Sequence, residues 1–411
     1  MKRVLVASLL LLTACSTKAG TATDTSSGGV KSGVGVTDTE ITLGVMTDQT
    51  GPFKSLATAI THGNELWAKD FNAAGGVCGR QVELEIVDHG YKADTAKTLY
   101  PQIEPKVLGF VQLVGSPIMA ALGKNLETDK LTTTPASWSS ELLSNPYVMI
   151  VGTTYDVEMI DGLSYLQKQG MIADGDAVGH IYVDGEYGAN GLRGSKYYAQ
   201  QHGLKLSEVK ITSTDTDLTN VVTGLKGQGV KAILLTTTPT QTGSVAAANK
   251  ALGLNVPILG NNPSFDPVLH QSPAAGALDK MYVVASTVPF SADIPKAKEI
   301  AAKYIAAGFK EPPHAGVPYG YAVAEVWGTV LKKACENKDL TRDGIHAAMQ
   351  QTTSADTGDL VASLDFGKAG APATRQVYVA QPDASAPGGQ KYVQQLFEAD
   401  QAKTYKAPHE K

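Results

Sequence analysis

Strand-like and helix-like stretches alternate along almost the whole chain, and this alternation constrains the fold more than any single motif. Ile41–Met46 reads as an apolar strand, Thr50-Gly51-Pro52 as a turn, and Leu56–Ala73 as a proline-free helix stopped by Gly75-Gly76. Gln81–Val87 alternates with period two, the pattern of a second strand. Ala93–Val107 reads as a helix that Pro101 and Pro105 break or shorten. Leu108–Val114 is a third strand, and Pro117–Thr128 a helix opened by proline. Short strands are expected at Thr132–Pro135 and Tyr147–Val151. The rhythm resumes with strands at Ala177–Val183, Leu206–Ile211, Val230–Thr236, Pro257–Leu259 and Met281–Ala285. Helices over Gly188–His202, Leu218–Lys226 and Gln241–Leu252 separate them. This pattern predicts an α/β fold with parallel sheets covered on both faces, and 411 residues suffice for two of them.

Open sheets of this kind bind ligands beyond the carboxyl ends of their strands. The loops to inspect are therefore Thr47–Phe53, Gly115–Pro117, Ala136–Ser139, Thr153–Asp156, Asp184–Gly188, Thr236–Thr240 and Gly260–Phe265.

The first residues carry an address. Lys2 and Arg3 precede the apolar run Val4–Leu12, which is far shorter than the ~20 residues that span a bilayer. With Leu12-Thr13-Ala14-Cys15 behind it, residues 1–14 read as a secretory signal peptide. The Leu-x-Ala-Cys ending resembles a bacterial lipobox, which implies cleavage before Cys15 and lipidation of its sulfur. Residues 15–37, rich in Gly, Ser, Thr and Ala, read as anchor and flexible tether with a reach of about 26 Å. No later run is apolar for long enough to cross a membrane.

Catalytic patterns are missing. There is no phosphate-cradling Gly-x-x-x-x-Gly-Lys-Ser/Thr and no Gly-x-Ser-x-Gly elbow. Gly185, Gly188, Gly191 and Gly194 have the wrong spacing for a dinucleotide and read as a tight turn with close helix packing. The eight histidines form no His-x-x-x-His pair, and Asp215-x-Asp217 lacks the other ligands of a calcium loop. No enzyme activity, metal or cofactor is expected. A net charge of −5 disfavours nucleic acid as a partner.

Several stretches in order resemble the type I periplasmic solute-binding proteins, specifically the branched-chain amino-acid-binding family of ABC importers. They are Gly51-Pro52, Phe71 to Arg80 with the strand ending in Asp88, Gly115-Ser116, Thr134-Pro135-Ala136-Ser137, Glu186-Tyr187-Gly188 and Tyr319-Gly320-Tyr321-Ala322. The resemblance implies two doubly wound, Rossmann-like lobes joined by three hinge segments. Lobe one would be 38–155 plus 287–362, and lobe two 156–286 plus 363–400. It further implies a monomer that closes on a small solute and delivers it to ABC permease subunits, outside the cytoplasm and tied to the membrane through Cys15. Rival readings are a sensory module for a separate membrane partner and an extracytoplasmic enzyme.

In this family the loops matching 115–117 and 136–139 grip a carboxylate with hydroxyls and backbone N–H groups. Here Ser116 and Ser137 keep hydroxyls, beside Pro117 and Ala136, while Trp138 stands where a second hydroxyl is usual. The loop that normally supplies an acid for an α-ammonium carries Asn262 and no acid before Asp266. Phe53, Trp138, Tyr155, Tyr187, Phe265 and Tyr319 are expected at the edges of the cleft. The expected ligand is a small, partly apolar organic solute, a carboxylate, amide, aromatic acid or amino acid, with the missing acid speaking against the amino acid. The family layout also returns the helix Tyr321–Glu336 to lobe one. With Cys15 consumed by the anchor, Cys78 and Cys335 are then expected to form a disulfide rather than remain as two buried thiols.

Overall fold

The computed structural model describes residues 25–27 and 29–411. The signal peptide and Cys15 lie outside the described residues.

Two short strands come first, β1 (Thr25–Ser27) and β2 (Val30–Ser32), paired antiparallel. Sheet one then forms from β3 (Glu40–Thr47), β4 (Gln81–Asp88), β5 (Gly109–Val114) and β6 (Thr133–Ala136). Its order is β4-β3-β5-β6 and every pairing is parallel. β5, Gly-Phe-Val-Gln-Leu-Val, is buried along its whole length, as a central parallel strand must be. Helices α1 (Lys54–Ala73), α2 (Ala93–Ile103) and α3 (Ser116–Thr128) alternate with these strands. α2 tolerates Pro101 in its last turn and ends just before Pro105.

Helix α4 (Tyr155–Lys168) opens the second lobe. It is followed by β7 (Ala177–Val183), α5 (Glu186–His202), β8 (Lys205–Ile211), α6 (Thr219–Gly227), β9 (Ala232–Thr236), α7 (Pro239–Ala251), β10 (Ile258–Asn261) and β11 (Met281–Ala285). The chain then returns to lobe one as α8 (Pro295–Ala307), α9 (Gly316–Glu336), β12 (Asp339–Leu340) and α10 (Arg342–Gln350). It crosses back to add β13 (Val377–Pro382), β14 (Gln390–Phe397) and α11 (Asp400–Thr404). Sheet two runs β14-β13-β11-β10-β9-β7-β8, parallel from β8 to β11 and antiparallel beyond. Both sheets are doubly wound: the order reverses between β3 and β5 in one, and between β7 and β9 in the other.

Three segments pass side by side between the lobes. The Thr153 N–H donates to Ser286 Oγ at 2.8 Å, and Thr287 bridges Val361 antiparallel. Gly152 sits at φ 119°, and a Cβ there would meet Ser286 Oγ at 2.6 Å. Only glycine lets these two crossing segments approach so closely.

Lobe one is held by the α1–α9 pair. A Cβ on Gly320 would stand 2.0 Å from the Ile60 carbonyl, and one on Gly63 would stand 2.3 Å from that of Val317. Backbone therefore meets backbone where these helices cross. The Cys78–Cys335 disulfide closes the far end of the same pair, with its Cα atoms 6.0 Å apart.

Two expectations need correction. Val30–Ser32, counted with the flexible tether 15–37, is part of the folded body: β2 pairs in parallel with β12. Val30 and Val36 pack against the core, and Arg80 donates to Ser32 Oγ and to the Thr37 carbonyl. Apolar side chains and a buried guanidinium hold this stretch where composition alone suggests coil. Tyr147–Val151 is not a strand. Only Val148 bridges to Thr133, because the chain turns away toward the hinge.

Candidate functional site

The carboxyl ends of both sheets face one another across a cleft. Asp48, buried just after β3, accepts hydrogen bonds from the N–H groups of Gly51 (2.5 Å) and Phe53 (2.9 Å). That cap sets the Phe53 ring against Tyr91, with centroids 4.9 Å apart. Gly115, at φ 104°, gives Tyr91 its room: a Cβ there would overlap the phenol ring at 2.5 Å. At the N-terminus of α3, Ser116 Oγ lies 2.6 Å from Ser137 Oγ, and Ser137 also meets the Tyr155 hydroxyl. This buried hydroxyl trio beside a helix start can receive an anionic or amide head group.

Four aromatic rings cross the cleft in a row. Tyr319 lies 5.2 Å from Trp138, Trp138 lies 6.0 Å from Tyr155, and Tyr155 lies 4.7 Å from Tyr187. Such tilted and edge-on contacts suit the ring quadrupoles. The Tyr187 hydroxyl donates to Asn261 Oδ1 at 3.0 Å, and that of Tyr319 donates to the Val151 carbonyl at 3.0 Å. Burial pushes the Tyr155, Tyr187 and Tyr319 phenols well above their usual range, so all three stay neutral donors.

Two chambers share Trp138 as a wall. The front one, a narrow space of about 20 Å³, is walled by Phe53, Tyr91, Ser116, Ala136, Tyr155 and Tyr187. The rear one, about 30 Å³, takes in Asn262, Phe265, His314 and Tyr319. Leu56, Trp138 and Pro263 border both. Ser137 stands behind the front chamber, fully buried. Pro117 is the exception among the expected site residues: as the second residue of α3 it turns outward and is exposed. Tyr91, Leu56 and His314 were not anticipated. Tyr91 lies in the loop after β4, itself a strand-to-helix loop of the kind that carries ligands.

No carboxylate and no Lys or Arg lines either chamber among the described residues. Asp266 is engaged elsewhere. Its Oδ1 accepts the Val268 N–H at 2.9 Å, and its Oδ2 lies 3.6 Å from His314 Nε2. Burial raises its pKa, but His314 and the Val268 N–H outweigh that and hold it below the usual carboxylate range. Glu158 supports the Asn262 loop by accepting its N–H at 3.2 Å, and burial pushes its carboxyl well above the usual carboxylate range. At the rim, Glu186 opens α5 beside Ser139 of lobe one, with Oε1 lacking a partner. Burial, reinforced by Glu141 against a Ser139 hydrogen bond, brings its pKa up to about 7. One turn and two turns further along α5, Asn190 Nδ2 donates to Ser140 Oγ at 2.7 Å and Arg193 pairs with Glu141. One face of α5 thus seals the lobes together. No group of three or more His, Cys, Asp or Glu side chains is placed to hold a metal among the described residues.

Comparison with known proteins fits this geometry. The periplasmic binding protein family matches residues 40–389. A fatty acid ABC transporter substrate-binding protein from Thermomonospora curvata is 40% identical, over 93% of this chain and 98% of its own, with a TM-score of 0.89. A branched-chain amino acid ABC transporter protein from Thermus thermophilus, solved with bound valine, shares the fold at 18% identity. That match covers 90% of this chain and 99% of the other, with a TM-score of 0.78. A possible leucine/isoleucine/valine-binding protein from Rhodopirellula baltica is 18% identical over 87% and 96% of the two chains, with a TM-score of 0.75. No curated protein matches. With its two doubly wound lobes and aromatic cleft, the chain belongs to the periplasmic binding protein family, among the type I solute-binding proteins of ABC transporters.

Proposed function

We propose that the protein captures a partly apolar organic solute with a carboxylate or amide head, and hands it unchanged to an ABC importer. Ser116, Ser137 and the start of α3 would hold the head, and the aromatic row would cover the rest. The observation that carries this reading is the pairing of a hydroxyl-lined helix start with chambers that contain no acidic side chain. A buried α-ammonium would find no counter-charge there, and an unpaired buried charge is costly. The naming of the Thermomonospora curvata relative for fatty acids supports the same class. We further propose that the protein works as a monomer, lipidated at Cys15 after loss of residues 1–14.

Isothermal titration calorimetry tests the ligand class. Straight-chain and aromatic carboxylates should bind, and Ser116→Ala should weaken them by about 1 kcal/mol, roughly fivefold. Tight binding of leucine or valine, with no binding of aromatic or uncharged analogues, would refute the proposal.

A further inference from the structure

One carboxylate of lobe two reaches across to lobe one. Asp266 follows β10 and is buried, with 6% of its surface exposed. Its Oδ1 is spent within its own lobe, on the Val268 N–H at 2.9 Å. Its other partners come from lobe one. The Ser55 hydroxyl, in the first turn of α1, donates to the carboxylate. His314, just ahead of α9, brings Nε2 to 3.6 Å from Oδ2. The imidazole is held for this contact. Its Nδ1 accepts the Gly316 N–H at 2.8 Å, so the neutral ring carries its hydrogen on Nε2. That buried Nε2 has no other partner among the described residues. The two helices start side by side: a Cβ on Gly316 would stand 2.9 Å from the Leu56 carbonyl. The positive ends of both helix dipoles therefore stand beside one negative side chain. Asp266 has these lobe-one partners only while the lobes are together. When they part, it keeps the Val268 N–H and exchanges the rest for water.

We propose that Asp266 is the latch of the cleft: a positioning residue that sets the balance between open and shut lobes by binding the paired starts of α1 and α9 through Ser55 and His314. It lines neither chamber, so it does not act by touching the solute. Phe265, its neighbour in the chain, and His314, its partner, both line the rear chamber. What fills that chamber therefore bears directly on whether the latch engages. The proposal goes beyond the ligand class and needs no particular solute.

Hydrogen exchange of the full chain at neutral pH, without added ligand and read by mass spectrometry, tests this. Cleft-facing amides at residues 53–57 and 314–319 should exchange through parting of the lobes. Asp266→Asn keeps the shape and removes the charge, and should speed exchange there about tenfold or more. Exchange in β5, in the core of lobe one, should stay within about twofold of wild type, because only the lobes part. Ser55→Ala, at an exposed helix position, should give about threefold alone and little on top of Asp266→Asn, since both break one contact. Ser55→Ala also carries the test if Asp266→Asn fails to fold. Unchanged cleft exchange in both variants, equal acceleration in β5, or fully additive effects would overturn the latch. None of these outcomes touches the head-group reading, which stands or falls on the calorimetry of carboxylates.

Discussion

Replacing Glu186 by glutamine should flatten one part of the protein's stability–pH curve. The carboxyl sits where α5 of lobe two meets Ser139 of lobe one, with Glu141 and Tyr91 nearby. Burial raises its pKa from 4.5 to about 7. Between those values the folded protein keeps a proton that the unfolded chain has lost. The unfolded state binds fewer protons, so stability falls as pH rises through this window, by up to about 1.4 kcal/mol per pH unit. Below it both states are protonated, and above it both are ionised, so the curve levels out. The full shift amounts to roughly 3 kcal/mol, and partial exposure of the carboxyl reduces this to about 2 kcal/mol. Burial also raises the pKa values of Glu158 and Asp161 well above normal, and they tilt the wild-type curve in the same direction. The difference between wild type and Glu186→Gln removes that shared slope. Urea unfolding followed by tryptophan fluorescence, repeated from about pH 4.5 to about pH 8, measures it. The variant should gain about 2 kcal/mol on the wild type across the range, almost all of it below pH 7. A difference that stays constant with pH, or one that moves toward the wild type as pH rises, would refute the reasoning.

Two further outcomes concern lobe one. Cys78 and Cys335 are 257 residues apart, so opening their bond frees a very long loop in the unfolded chain. Cys78→Ser with Cys335→Ser should cost about 3–5 kcal/mol in chemical denaturation, with ligand affinity unchanged because both residues are remote from the cleft. Gly320→Val should cost more than about 3 kcal/mol, read as lost soluble yield or a lowered denaturation midpoint, because its Cβ would overlap the Ile60 carbonyl.

How much of this was legible in the sequence depended on periodicity. β3, β4, β5 and the five strands β7–β11 carry apolar runs or period-two alternation between glycine and proline stops, and each lies where its pattern predicts. α4 carries a weaker signal: Tyr155 to Leu166 is buried on every side, with Asp156, Glu158 and Asp161 interspersed among its apolar residues. The hairpin β13–β14 joins sheet two antiparallel and late in the chain, outside the strand–helix rhythm. The cleft could be read because ligand loops follow strands, and that rule located Ser116, Trp138, Tyr187 and Asn262. It would have located Tyr91 too, had the loop after β4 been included. Pro117 shows the opposite failure. A loop can be assigned to the cleft from sequence, but which of its side chains turns inward depends on the helix that begins there. The absence of any acid from the chamber walls is a property of three dimensions, since Asp266 is next in sequence to Phe265 yet spends its oxygens on Val268 and His314.

The short pairing of β2 with β12 fixes more than a few hydrogen bonds. β12 follows the end of α9, a helix of 21 residues and so about 30 Å long, whose first turn carries Tyr319 in the cleft. The polypeptide preceding Val30 therefore joins the body at the opposite end of lobe one from the ligand. A leash at that point would pull on one lobe only, at a place bolted to α9, β12 and the disulfide. The hinge would bear none of the tension, and lobe two would be left to swing. A body tied to a surface in this way would hold its mouth roughly one helix length away from the attachment, free to open and shut without dragging its mooring.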